Sequence, residues 1–70
     1  MFIEDGTEVR AVLNRLGLTQ VRAAELLGVD ARTMRKWVAG ERPISEPARR
    51  MLALMEAFPA VLPWLEKHVV

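Results

Sequence analysis

The sequence predicts an all-α fold, a small bundle of four to five helices in one domain. Apolar residues recur three and four positions apart along most of the chain, which is the spacing of one face of an α-helix. Glycine and proline divide this pattern into segments of helical length, and no segment alternates apolar and polar residues as a β-strand does. A chain of 70 residues has room for a single, thin core.

The first helix is predicted from apolar residues at helical spacing that stop before Gly17, a helix breaker. Asp5 and Thr7 are both candidates for its N-cap, because their side-chain oxygens can accept from the free backbone amides of the first turn. The apolar residues of this helix are Val9, Val12, Leu13 and Leu16.

A second, short helix is predicted over residues 20 to 27, between Thr19 and Gly28. Thr19 is a good N-cap and Gly28 ends the helical pattern. The residues expected on its buried side are Ala23, Ala24 and Leu27.

The third helix is predicted from about Asp30 to Ala39, with Gly40 as its end. The Asp30 carboxylate is a strong N-cap, since it can accept from free amides and interacts favourably with the helix dipole. A rotation of about 100° per residue places the basic and apolar residues of this helix on opposite sides. The basic side carries Arg32, Arg35 and Lys36, and the apolar side carries Met34, Trp37 and Val38.

The fourth helix is predicted from Ser45, its N-cap, to about Phe58, with Pro47 tolerated in the first turn. Pro59 stops it, and Pro63 is expected to start a short final segment that runs to Val70. The apolar stripe of the fourth helix is wider than a domain of this size needs to bury, which suggests that part of the stripe faces a partner. Ala48, Met51, Leu52 and Met55 form the stripe, which Leu54 and Phe58 widen.

Composition argues against several classes of function. The chain has no cysteine, which excludes disulfides and thiolate metal sites, and no apolar run approaches the roughly 20 residues of a membrane span. The acidic N-terminus differs from the basic start of a secretory signal, so we expect a soluble, cytoplasmic protein. No acid–base pair or phosphate-binding glycine loop is present, so we expect neither an enzyme nor a cofactor.

The charge is distributed unevenly along the chain. The net charge is +1, but residues 20 to 50 carry seven basic and four acidic residues, a block of +3. Such a block is a weak indication of a polyanionic partner, because solvated helix faces are often rich in arginine as well.

The stretch from Thr19 to Trp37 resembles the helix-turn-helix of phage repressors and Cro proteins, the Xre family. In that family a glutamine opens the motif, a small residue follows four positions later, and a glycine lies in the turn after four more; Gln20, Ala24 and Gly28 match. The small residue lets two steeply crossed helices touch, and the glycine adopts a left-handed turn at little cost. The family's buried positions are also apolar here, at Ala23, Leu27, Val29, Met34 and Trp37.

This resemblance, which covers residues 9 to 55, implies a lambda repressor-like DNA-binding domain with its motif at about residues 19 to 39. The third helix is then the recognition helix, which lies in the major groove of double-stranded DNA. The base-reading residues that the resemblance implies are Ala31, Arg32 and Lys36, with Arg35 beside them, and the phosphate-binding residues are Thr19, Gln20, Arg22 and Arg42, with Arg10 a weaker candidate.

The four base-reading residues differ in what they can recognise. Ala31 departs from the polar residue usual in the family, and it can contact only a thymine methyl or nothing. Arg32 and Lys36 can donate to O6 and N7 of guanine, whereas Arg35 can serve bases or phosphate.

Other conspicuous residues have ordinary structural interpretations. Trp37 and the methionines are expected in the core, where methionine fills irregular gaps. Solubility explains Arg49 and Arg50 as well as DNA binding does, so they are not counted in the site, and His68 has no second ligand or nucleophile beside it.

These features predict a sequence-specific transcriptional regulator, a repressor by the habit of the family. One module of this size makes too few base contacts for selectivity, so a second copy or a partner domain is expected, and we predict a homodimer on a pseudo-palindromic site. Residues 1 to 58 form the DNA-binding domain in this interpretation, and residues 59 to 70 form a short C-terminal segment. That segment either completes the core or contacts a second copy or a partner.

The alternative is a protein-interaction module on the same fold, such as the antitoxin of a toxin–antitoxin pair. A protein-binding derivative has no need of three basic residues on the exposed side of the third helix, so the sequence favours DNA. The operator, the regulated gene and the sign of regulation stay open at this level.

Overall fold

A computed structural model describes residues 6 to 68 of the chain, and over that range it shows five α-helices and no β-strand. The predicted all-α bundle of four to five helices is therefore confirmed. None of the helices described is both long enough and apolar enough to span a bilayer. The five helices are α1 (Gly6–Leu16), α2 (Gln20–Leu27), α3 (Ala31–Ala39), α4 (Glu46–Ala57) and α5 (Val61–His68).

Glycines end the first three helices at the positions that the sequence predicts. Gly17, Gly28 and Gly40 have φ angles of 70°, 75° and 76°, in the left-handed region. Residues other than glycine rarely adopt this backbone conformation. Each of these glycines therefore turns the chain where its helix stops.

Two of the predicted N-caps make a side-chain capping hydrogen bond. Thr19 caps α2 and Asp30 caps α3. Thr7 lies inside the first turn of α1, which already begins at Gly6, and the other candidate, Asp5, lies outside the described residues. Ser45 occupies the N-cap position of α4, but its side chain makes no capping hydrogen bond.

The final segment is a helix that starts earlier than Pro63. The amides of Val61 and Leu62 donate to the carbonyls of Phe58 and Pro59 at 2.9 and 3.1 Å, and these bonds open α5. Pro63 is the third residue of the helix, where its missing N–H has no intrahelical partner to lose. The proline was therefore correctly placed in a first turn, but it does not begin the segment.

The core draws on all five helices. The largest fully buried side chains come from α1, α3 and α4, and Trp37 is only 4% exposed, so the core roles predicted for Trp37 and Met34 are confirmed. On α2 the structure buries Leu26 and leaves Leu27 half-buried, since Leu27 is the last residue of its helix and lies at the edge of the core. The fully buried side chains are Val9, Val12, Met34, Leu52 and Met55.

The start of α1 touches the end of α3 through a glycine that the sequence analysis did not single out. Gly6 is buried, and a Cβ at this position would collide with the carbonyl oxygen of Val38 and lie 2.7 Å from the amide nitrogen of Gly40. The absence of a side chain at Gly6 thus lets α1 lie against the backbone at the C-terminal end of α3.

Candidate nucleic-acid interface

A tight turn fixes α2 against α3. Ala24 is buried, and its carbonyl oxygen accepts from the amides of Gly28 and, at 3.0 Å, of Val29. The small Ala24 side chain allows the two helices to approach closely, and Gly28 reverses the chain with φ 75° and ψ 27°. The orientation of α3 relative to α2 is therefore set by local backbone geometry together with burial.

The carboxylate of Asp30 fixes the start of α3. Its Oδ1 accepts from the Thr33 amide at 2.7 Å, and Asp30 itself has extended backbone angles of φ −79° and ψ 158°. The amide and then the hydroxyl of Thr33 hold the pKa of this carboxyl below its ordinary value, and the charge of Arg32 acts in the same direction. Asp30 is thus ionised at neutral pH and engaged in the cap.

The helix between these two ends has one anchored side and one free side. Met34, Trp37 and Val38 are buried, which confirms the predicted apolar side. Arg32 and Arg35 are exposed, while Lys36 and Ala31 are half-buried. We refer to Arg32, Arg35 and Lys36 as the cationic face.

The charges of the cationic face form no salt bridge within the described part of the chain. Salt bridges there hold Arg15 to Glu56, Arg22 to Glu25, and Arg49 and Arg50 to Glu46. None of them includes a residue of the cationic face, and α3 has no acidic residue of its own. Three cations thus lie together on a buried scaffold with donors available to an external anion.

The predicted phosphate-binding residues lie at the start of α2 and after the end of α3. The Thr19 hydroxyl oxygen accepts from the Arg22 amide at 3.0 Å, which leaves its own proton free to donate. Gln20, the first residue of α2, is half-buried, and Arg42 is exposed in the loop before α4. Arg22 approaches Glu25 at 3.6 Å, so this candidate is partly engaged within its own helix.

The structure also places the residues for which no role in binding was predicted. Arg49 and Arg50 both hydrogen-bond to Glu46, three and four residues earlier on α4. The ring of His68 stacks on Trp64, with 4.2 Å between ring centroids. Within residues 6 to 68, no group of acidic, histidine or cysteine side chains is arranged to hold a metal ion.

One residue that positions the site was missed by sequence reasoning. Gly6 contacts the backbone of α3 at Val38, 32 positions later, so no local pattern could reveal its role. A glycine inside the first turn of a predicted helix was the available signal, because glycine has a poor helix propensity and its presence there needs a reason.

Comparison with known proteins finds a repressor. The chain is 39% identical over 59 residues to the transcriptional repressor protein KorC of Escherichia coli, in a match that covers 80% of this chain and 69% of KorC. No family model matches the chain, and no solved structure matches it. A contiguous match of this extent must include α2, the turn and α3.

Proposed function

The chain belongs to the family of the transcriptional repressor KorC, and we propose from this premise that it represses transcription by binding double-stranded DNA sequence-specifically. In the proposal α3 is the recognition helix of a phage repressor and Cro type (Xre) motif and lies in the major groove. Since a repressor must share a compartment with its DNA, we place its action in the cytoplasm.

The observation that carries the proposal is the unpaired state of the cationic face. Salt bridges occupy the arginines of α2 and α4 within the described residues, whereas Arg32, Arg35 and Lys36 have none. Unpaired arginine and lysine side chains on a helix that fits the major groove can donate to guanine or to phosphate oxygens. A helix of nine residues is about 13 Å long, enough to reach several base pairs.

The residues around α2 also support a duplex that holds α3 in its major groove. Thr19 and Gln20 lie at the N-terminal end of α2, where free amides and the helix dipole favour a phosphate. Arg42 adds a charge beyond the other end of α3. We assign these three residues to phosphate, together with Arg22 once its pairing with Glu25 opens.

The proposal includes a homodimer on a two-fold operator. One recognition helix contacts too few bases to select a site among genomic competitors, so a second copy or a partner domain is expected for selective repression. Half-sites separated by one turn of the DNA duplex, about 34 Å, are expected for this type of motif.

A second candidate function, an interaction module such as an antitoxin, is favoured by a different observation. Phe58 and Trp64 are 62% and 57% exposed, and Leu54 is also exposed. Large apolar side chains left in water at the α4–α5 end of the chain suit contact with another protein. The two functions are compatible, because a repressor can bind a second protein through a surface away from α3.

The proposal is tested by fluorescence anisotropy with the upstream DNA of its own gene and with random duplex DNA, from 50 to 200 mM salt. We expect affinity to fall steeply with salt and the upstream DNA to be preferred by about a thousandfold. Lys67→Ala serves as a control, because it removes one charge outside the proposed interface. Absence of binding to either duplex at 50 mM salt would overturn the proposal and leave the interaction module.

A further inference from the structure

The cationic face of α3 carries hydrogen-bond donors and no acceptor. Arginine and lysine side chains can only donate. The helix contains no Asp, Glu, Asn, Gln or His. Its one hydroxyl, that of Thr33, is half-buried and is not part of the cationic face, and the Thr33 amide donates to the N-cap carboxylate of Asp30.

A face that only donates discriminates among the four bases. In the major groove guanine presents two neighbouring acceptors, O6 and N7, whereas adenine pairs one acceptor with an amino donor. Cytosine presents an amino donor, and thymine presents one acceptor beside a methyl group. Donors set against the amino group of adenine or cytosine leave both groups unpaired, so the cationic face is matched to guanine.

The spacing of the cations sets the spacing of the guanines. Arg32 lies in the first turn of α3 and Lys36 in its last, four residues apart on one side of the helix. Four residues advance about 6 Å along a helix axis, which corresponds to about two base-pair steps of DNA. Arg35 lies between them in sequence but about 60° around the helix from Arg32, toward the rim of the groove.

We propose that each half-site of the operator contains two G·C pairs about two base steps apart, with Arg32 contacting one guanine and Lys36 the other through O6 and N7. This inference rests on the proposed function and specifies its DNA. It assigns the readout to donor chemistry at two positions of α3, and it requires no acceptor contact from that helix.

The test begins with selection of duplexes from a random pool by the full chain. In the selected site, each guanine is then replaced singly by 7-deazaguanine, which lacks the N7 acceptor, or by inosine, which keeps O6 and N7 and loses only a minor-groove amino group. We expect 7-deazaguanine to weaken binding by about fivefold or more at two positions, the lower end of what a bidentate contact supplies, and inosine to have little effect.

Protein variants then assign each guanine to its residue. Arg32→Ala should remove the 7-deazaguanine effect at one position and keep it at the other, and Lys36→Ala should do the reverse. Lys67→Ala, the control, should keep both effects. Circular dichroism checks that the variants are folded, which is expected because neither Arg32 nor Lys36 is buried.

Two results would overturn the inference and leave the proposed function intact. One is a strongly selected half-site without two guanines at this spacing, and the other is equal binding of the 7-deazaguanine and guanine duplexes. A chain that binds no duplex, or that selects none from the pool, overturns the proposed function and the inference together.

Discussion

Helices α3 and α4 each carry a cluster of cations, yet the two clusters differ in what holds them. On α4, Glu46 precedes Arg49 and Arg50 by three and four residues and hydrogen-bonds to both, a spacing that brings side chains together on a helix. On α3 no carboxylate lies three or four residues before any member of the cationic face, and the nearby Asp30 accepts from the Thr33 amide as the N-cap.

This difference shows that counting charges does not locate a binding site. Both clusters contribute to the same positive block of the sequence, but one shares a carboxylate of its own helix and the other forms no salt bridge among the described residues. The position of the nearest carboxylate, and whether that carboxylate is already engaged, separates a solvated helix face from a candidate interface. The apolar sides of the two helices differ as well, since that of α3 is buried and that of α4 leaves Leu54 and Phe58 exposed.

The largest expected effect is a loss of stability when Trp37, on the buried apolar side of α3, is truncated. Trp37→Ala should lower the free energy of unfolding by about 3 to 5 kcal/mol, because it removes a large buried side chain and leaves a cavity. Phe58→Ala is the matched control on α4, and we expect a change within about 0.5 kcal/mol since that ring is already largely in water. Urea denaturation at one protein concentration measures both. Similar losses for the two variants would contradict the contrast between an anchored α3 and a partly exposed α4.

A smaller loss of stability is expected from a side chain added at Gly6, where α1 contacts the end of α3. Gly6→Ala should destabilise the fold by about 2 to 3 kcal/mol, because the new Cβ meets backbone atoms of Val38 and Gly40 that cannot rotate away. Thr7→Ala, at the exposed neighbouring position, serves as the control. Thermal unfolding of the two variants is the measurement. An unchanged midpoint for Gly6→Ala would mean that α1 can move without cost and does not position α3.

Gly6 also illustrates what the sequence could and could not predict. Thr19, Asp30 and the three helix-ending glycines were predicted correctly, because capping and left-handed turns depend on neighbouring residues. The contact of Gly6 joins residues distant in sequence, and the start of α5 depends on how its first turn closes onto Phe58 and Pro59. Both follow from packing of the whole chain, which local patterns do not contain.

The exposure of the candidate site residues was predicted better than their pairing. Helical periodicity correctly separated the exposed Arg32 and Arg35 from the buried Trp37, since side-chain direction along one helix follows from its geometry. Sequence reasoning offered Arg22 as a phosphate ligand without noting Glu25 three residues later, with which it pairs. Side-chain pairing depends on rotamers and on competing partners, so residue type alone does not show which cations are available.

The comparison of the two clusters is tested most directly by removing one cation from each. Arg32→Ala should reduce discrimination between operator and random DNA by about 1 to 3 kcal/mol, because a base contact is lost. Arg50→Ala, which removes an exposed but paired cation from α4, should leave discrimination unchanged. Fluorescence anisotropy with both duplexes provides the two affinities for each variant. Equal loss of discrimination in the two variants would mean that overall charge, and not the cationic face, selects the DNA.

The smallest expected effect is the contribution to stability of the Glu46 carboxylate, which pairs with Arg49 and Arg50 on α4. Hydrogen bonds from Arg49 and then Arg50 lower the pKa of Glu46 from 4.5 to about 2. Because the pKa is depressed in the folded state, the contribution of Glu46 to stability is present above about pH 4.5 and is lost as the pH falls toward about 2. This contribution is small, since exposed ion pairs are screened by water and salt.

NMR titration of the side-chain carboxyl measures this pKa directly. In the Arg49→Ala, Arg50→Ala double variant, the Glu46 midpoint should return toward 4.5, while affinity for the operator at neutral pH should be unchanged. A midpoint that stays near 2 in the double variant would show that another group lowers this pKa. A loss of operator affinity would show that α4 also contacts DNA, and the distinction between a paired cluster on α4 and an available one on α3 would then fail.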